Sequence, residues 1–180
     1  AAYSGMLALR SAHCTGALFA GTRALLLPFL LGTLHAKDGR CKSFDARADG
    51  YGRSEGVGAI HLARSGILVI SGSAVRAGGR SASLTAPNGS SMANTIRSAL
   101  QDALMSAEQL SSVQAQGLGS AIADPIETTA RQSVMGSFRV SIGSHKANVG
   151  HSEAASGMLG LATAQHVLQG RSLASNAQLR

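Results

Sequence analysis

Short apolar runs bounded by glycines alternate with stretches whose apolar residues recur every fourth position. Residues 5–13 read as the end of a helix, and Gly16–Gly21 as a short buried strand. Residues 35–56 are polar, charged and glycine-rich, hence loop, and Gly56–Ala63 is a second strand. Ser65-Gly66 marks a turn between two halves, 1–65 and 66–180. Ile67–Val75 reads as a strand, followed by a helix from about Ser91 to Ala107 with Met92, Ile96, Leu100 and Leu104 on one face. Ser111–Ala115 is the next strand, and Asp124-Pro125 starts a helix with proline at its first position. A strand near Arg139–Ile142 follows, then a loop, then a helix capped by Ser152 and running to Gln169. Strand and helix in alternation predict a layered α/β fold.

Composition narrows the function classes. The chain has 180 residues, 22 glycines and only 3% aromatics, so the predicted core is close-packed Ala, Leu, Val, Ile and Gly. Disordered, collagen-like and disulfide-dense classes are excluded. A net charge of +7 favours an acidic partner. The bases of the densest stretch (Lys37, Arg40, Lys42, Arg47, Arg53) are interleaved with Asp38, Asp45 and Asp49, and no run of bases is flanked by aromatics for stacking. No nucleic-acid partner is therefore expected. The apolar stretch Ala24–Leu34 is too short to span a bilayer. Cys14 and Cys41 form no CxxC pair, so neither a zinc site nor an oxidising compartment is expected.

The chain carries no GxSxG, HExxH or Walker motif. Gly50–Gly56 has one residue too many for a dinucleotide fingerprint, and Arg47 spoils the calcium-loop mimic that begins at Asp45. Two loops remain. Gly143–Glu153 holds His145, Lys146, His151 and Glu153 in a strand-to-helix turn; a helix N-terminus beside His151 would keep its ring neutral. On spacing alone two solvated histidines are the simpler reading. Gln114–Ser120 holds two glycines that would let a ligand approach the backbone, although such loops are more often plain turns.

Together these segments resemble the β-ketoacyl synthase (ketosynthase) family in its type I modular polyketide synthase form. Gln114-Ala115-Gln116-Gly117-Leu118-Gly119-Ser120 and Ala123-Asp124-Pro125-Ile126-Glu127 stand where that family has EAHGTGT and GDPIE. Lys146–Gly157 matches KSNIGHTEAAAG, Asp38–Gly58 matches DGRCKSFDA…ADGY…GEGVG, and Ser73–Gly89 matches GSAVNQDGRSNGLTAPNG. The resemblance implies an incomplete thiolase-like fold: the tail of the N-terminal half over 1–65 and most of the C-terminal half over 66–180. It also implies decarboxylative Claisen condensation of phosphopantetheine-linked acyl thioesters, with no bound cofactor and no metal. The implied partner is an acyl carrier protein, within a homodimer or larger synthase assembly of the cytoplasm or plastid stroma.

By the same resemblance, His151 is the second family histidine and Lys146 supports its loop, while His145 lies outside the motif as a solvated side chain. Departures bear on activity. Gln116 occupies the first histidine position; an amide donates a hydrogen bond but takes up no proton, a loss of ~10²–10⁴ in rate. Leu118 replaces a threonine that resembles a phosphopantetheine contact, and Ser120 keeps the second hydroxyl, with Gly117 and Gly119 beside it. The nucleophilic cysteine of the family lies in a DTACSSS turn expected before Ala1, and the closing GFGGTNAH segment beyond Arg180. The chain is accordingly expected to be non-condensing by itself, with neither Cys14 nor Cys41 as nucleophile. The alternative is a catalytically inactive structural subunit of a larger assembly. Uncovered sheet edges and apolar faces further predict insolubility or oligomerisation.

Overall fold

The computed structural model describes residues 2–26, 36–83, 86–170, 172, 174–177 and 179. Helix α1 (Ala2–Arg10) leads into β1 (Gly16–Arg23), which pairs antiparallel with β2 (Gly56–Ala63) from Gly16↔Ala63 to Arg23↔Gly56. A second sheet joins β3 (Ser112–Gln114) and β4 (Ser141–Gly143) in parallel, with Val113 opposite Ile142. Helix α2 (Gly89–Asp102) precedes β3, and α3 (Ala123–Met135) provides the crossover between β3 and β4 that a parallel pair requires. After β4 come α4 (Lys146–Val149), a 3₁₀ turn (Glu153–Ala155) and α5 (Ser156–Leu168).

Helix α5 packs against both β2 and β3, and so forms the layer between the sheets. Gly21 makes that contact possible: a Cβ there would lie 2.4 Å from Met158 Cε and 2.7 Å from the Ala154 carbonyl. The expected core of small residues is built from Ala93, Ala115, Ala130, Ala147 and Ala155, but methionines (Met6, Met135, Met158) fill it in place of most of the predicted branched aliphatics. Among the described residues no helix is long and apolar enough to cross a membrane. Most of the apolar stretch Ala24–Leu34 lies outside the described residues.

Four expectations need correction. Ile67–Val75 is apolar enough for a strand but forms no ladder: Ile67 is 94% exposed and Val69 78%. Ile70–Gly72 and Ser112–Gln116 line a common cavity of about 680 Å³, and the strand-like run joins neither sheet. Helix α2 stops at Asp102, and Leu104 turns left-handed (φ 54°) outside it. The Met105 N–H bonds the Leu100 carbonyl and the Leu104 N–H that of Gln101, a Schellman end with leucine where glycine is usual. Helix α3 begins at Ala123, so Pro125 is its third residue; its missing N–H is harmless throughout the first turn. Ser152 makes no side-chain cap; its buried hydroxyl lies 3.3 Å from the Ser156 hydroxyl instead.

Candidate functional site

The loop after β3 is held by two carboxylates near the start of α3, Asp124 in its first turn and Glu127 just beyond it. Asp124 accepts N–H bonds from Leu118 (3.1 Å), Gly119 (3.0 Å), Ser120 (3.3 Å) and, across the chain, Phe44 (2.9 Å). Glu127 accepts from Gln116 (2.8 Å) and Gly117 (2.9 Å) and pairs with Arg131. Both acids are buried. In sequence, the signal for this anchoring is two acids three apart at a helix start.

The glycines serve this packing. Gly117 (φ 41°) would place a Cβ 2.7 Å from Ser144 Cβ, and Gly119 (φ 82°) one 2.6 Å from the Lys42 nitrogen. Their amides are spent on Glu127 and Asp124. Ser120 Oγ accepts from the Ala123 and Ile122 N–H groups, finishing the turn into α3.

Lys146 reaches this loop from the other side. It is 2% exposed, and its Nζ donates to the Gln116 carbonyl at 2.9 Å and to Gln116 Oε1 at 3.3 Å. Burial lowers its pKa, while Glu127, Cys41 and Asp124 oppose that shift. With Oε1 turned to Lys146, the Gln116 amide nitrogen is left as a donor without a protein partner among the described residues.

His151 is bracketed by the segment before β2. Its N–H donates to the Gly52 carbonyl at 2.7 Å, its carbonyl accepts from Ser54, and Tyr51 meets its ring edge-on at 5.3 Å. Nδ1 accepts from the Glu153 N–H at 3.1 Å and lies 2.8 Å from the Ser156 hydroxyl. With Nδ1 engaged as acceptor, the neutral ring carries its hydrogen on Nε2. Its pKa falls to about 4, first through burial and then through the charge of Lys146. The helix-terminus effect expected from sequence is not the main cause. Lys146 thus adjoins both loops: it bonds Gln116 and its charge is felt by His151.

His145 is not solvated as expected. It is 8% exposed, its Nδ1 lies 3.0 Å from Gln114 Nε2, and burial, then Lys146, then His151 lower its pKa to about 4. Cys41 is 1% exposed, and burial raises the pKa of its thiol. Cys14 is half-buried just beyond α1.

Against known proteins, the β-ketoacyl synthase N-terminal domain matches residues 1–66 and the β-ketoacyl synthase C-terminal domain matches residues 67–180. The chain belongs to the β-ketoacyl synthase family, with its thiolase-like α/β fold. It is part of a ketosynthase domain of the type I polyketide synthase kind. The spectinabilin polyketide synthase system protein NorB of Streptomyces orinoci is 40% identical over 173 residues, which cover 86% of this chain and 8% of NorB. The oxazolomycin ketosynthase domain of Streptomyces albus superposes with a TM-score of 0.89 at 29% identity, over 97% of this chain and 34% of that one. The module 6 ketosynthase of the Bacillus subtilis bacillaene synthase gives 0.93 at 27%, over 99% of this chain and 35% of that one. The chain therefore spans about a third of these solved ketosynthases and a far smaller share of NorB.

Proposed function

We propose that this chain supplies the donor half of a ketosynthase condensation site, acting on phosphopantetheine-linked acyl thioesters delivered by an acyl carrier protein. In that reaction malonyl thioester loses carbon dioxide, and the enolate attacks an acyl thioester carbonyl, expelling the thiolate. Negative charge develops on the malonyl thioester oxygen, where preformed N–H donors act most strongly. The His151 Nε2–H is one donor and the Gln116 amide the second; Lys146 holds residue 116, and burial together with the Lys146 charge keeps His151 neutral. The observation that carries this reading is the Lys146 ammonium, buried and bonded to Gln116 while acting on His151. The family resemblance adds the carrier protein, a homodimeric or larger synthase, and the cytoplasm as setting; relatives from Streptomyces give the plastid no support.

Gln116 donates but accepts no proton, so condensation is weak and Gln116→His raises it. Neither cysteine serves as nucleophile: Cys41 is enclosed, with its thiol pKa raised. The test supplies the full chain with malonyl carrier protein and an acylated ketosynthase partner, and measures carbon dioxide release and condensed product. Gln116→His is expected to raise product by roughly tenfold or more, and His151→Ala to abolish it. Equal product from the wild type and both variants would instead support an inactive structural subunit. Acyl label on Cys14 or Cys41 after incubation with an acyl thioester would refute the assignment of the nucleophile.

A further inference from the structure

A strained residue follows His151 closely. Glu153 has φ 42°, in the left-handed region that side chains other than glycine seldom occupy. In this conformation its N–H faces His151 Nδ1 at 3.1 Å, and the following turn brings the Ser156 hydroxyl to within 2.8 Å of the same nitrogen. Its carboxylate meanwhile reaches two arginines from separate segments. Glu153 Oε2 lies 2.9 Å from Arg23 Nη1 at the end of β1, and Oε1 lies 3.3 Å from Arg53 Nε. All three side chains are at most 29% exposed. The Nε atoms of both arginines are buried without a hydrogen bond, and both guanidiniums pair with this one carboxylate. Arg53 also grips His151 through the backbone, in a parallel bridge flanked by the bonds to Gly52 and Ser54.

We infer that Arg23, Arg53 and Glu153 form a positioning triad that fixes the His151 ring with its hydrogen on Nε2 and sets where that N–H points. Ion pairs offset the cost of the left-handed turn, and the turn presents two groups to Nδ1. The inference deepens the proposed function and rests on it for the use of the Nε2 hydrogen. The three act through His151.

The charges around the ring supply a discriminating readout. Lys146, Arg53 and Arg23 oppose its protonation and Glu153 favours it; His145 is neutral near pH 7, and Tyr51 packs on the ring edge. Removing an arginine and removing Glu153 therefore shift the ring's pKa in opposite directions, while both loosen its tautomer. A merely structural role moves neither in this pattern.

The test is long-range proton–nitrogen NMR of the full, nitrogen-15-labelled chain, with His151→Gln identifying the ring signals. At pH 7 the wild type is expected in one form, hydrogen on Nε2. Glu153→Ala is expected to lower the ratio of Nε2–H to Nδ1–H forms by roughly tenfold, the worth of about one hydrogen bond. Arg23→Gln gives a smaller fall, and Arg23→Lys restores the ratio. On acid titration, Arg23→Gln raises the His151 midpoint and Glu153→Ala lowers it. An unchanged single form in a folded Glu153→Ala chain overturns the inference. Should that variant not fold, Arg23→Gln decides: an unchanged ratio and midpoint overturn it equally. The signals are read without turnover, so a chain that condenses nothing sinks the proposed function and leaves the triad standing.

Discussion

At the scale of single residues, the two buried imidazoles make the fold acid-sensitive. An ordinary histidine protonates near 6.5, whereas burial and then Lys146 hold His145 and His151 near 4. Between those values the unfolded chain binds more protons than the folded one, so stability rises with pH. The penalty is absent above about 6.5, grows as pH falls, and is complete below about 4. For His145, 8% exposed, the full effect is roughly 3 kcal/mol at ~1.4 kcal/mol per unit. His145→Leu removes that share. It loses the Gln114 bond but also a buried Nε2 without a partner, so little change is expected at pH 7. Urea unfolding at pH 7 and pH 4.5 checks this: the wild type should lose more stability than the variant, by on the order of 2 kcal/mol. Equal losses would assign the acid sensitivity to the carboxylates.

At the scale of elements, sequence reading succeeded where a local pattern settles the outcome and failed where a distant partner does. The alternation in Gly56–Ala63 was legible because the strand it pairs with was equally plain. Ile67–Val75 has the same apolar character, yet whether it becomes a strand depends on a neighbour no local pattern reports. Leu104 kept the four-residue spacing but fell one turn too late, in a position that normally takes glycine. The motif singled out Lys146 and His151, whereas the burial of His145 was not legible, because a histidine in a polar loop looks solvated. Asp124 was missed as the anchor because its four N–H partners come from 118–120 and 44, and only the fold joins those segments. Asp124→Ala strands four donors at a buried site and is expected to cost on the order of 3–5 kcal/mol. Asp124→Asn, which keeps one acceptor oxygen, should cost less. Thermal melting of both variants beside the wild type tests the ranking, and an Ala variant no worse than Asn would show that the loop holds itself.

At the scale of the whole molecule, apolar surface and net charge pull in opposite directions. The outward face of the β1–β2 sheet presents Leu18, Ala20, Val57 and Ala59, with Leu18 72% and Val57 83% exposed. In register, Leu18 opposes His61 and Thr22 opposes Val57, and the two strands place no Lys, Arg, Asp or Glu on this face. Ile67, Val69 and Val75 form a second exposed apolar run. Such surface favours association of copies, while a net charge of +7 repels them over about 8 Å at physiological salt. Self-association is therefore expected to strengthen as salt is raised, because screening removes the repulsion and leaves the apolar contact. Docking of an acidic partner would respond oppositely and weaken with salt. Sedimentation velocity over a range of concentration and sodium chloride separates the two. The wild type should gain mass with both variables, and Leu18→Lys with Val57→Lys should return it toward the monomer by placing like charges on the shared face. A mass that ignores salt, concentration and both substitutions would mean that this sheet face is not the one through which copies meet.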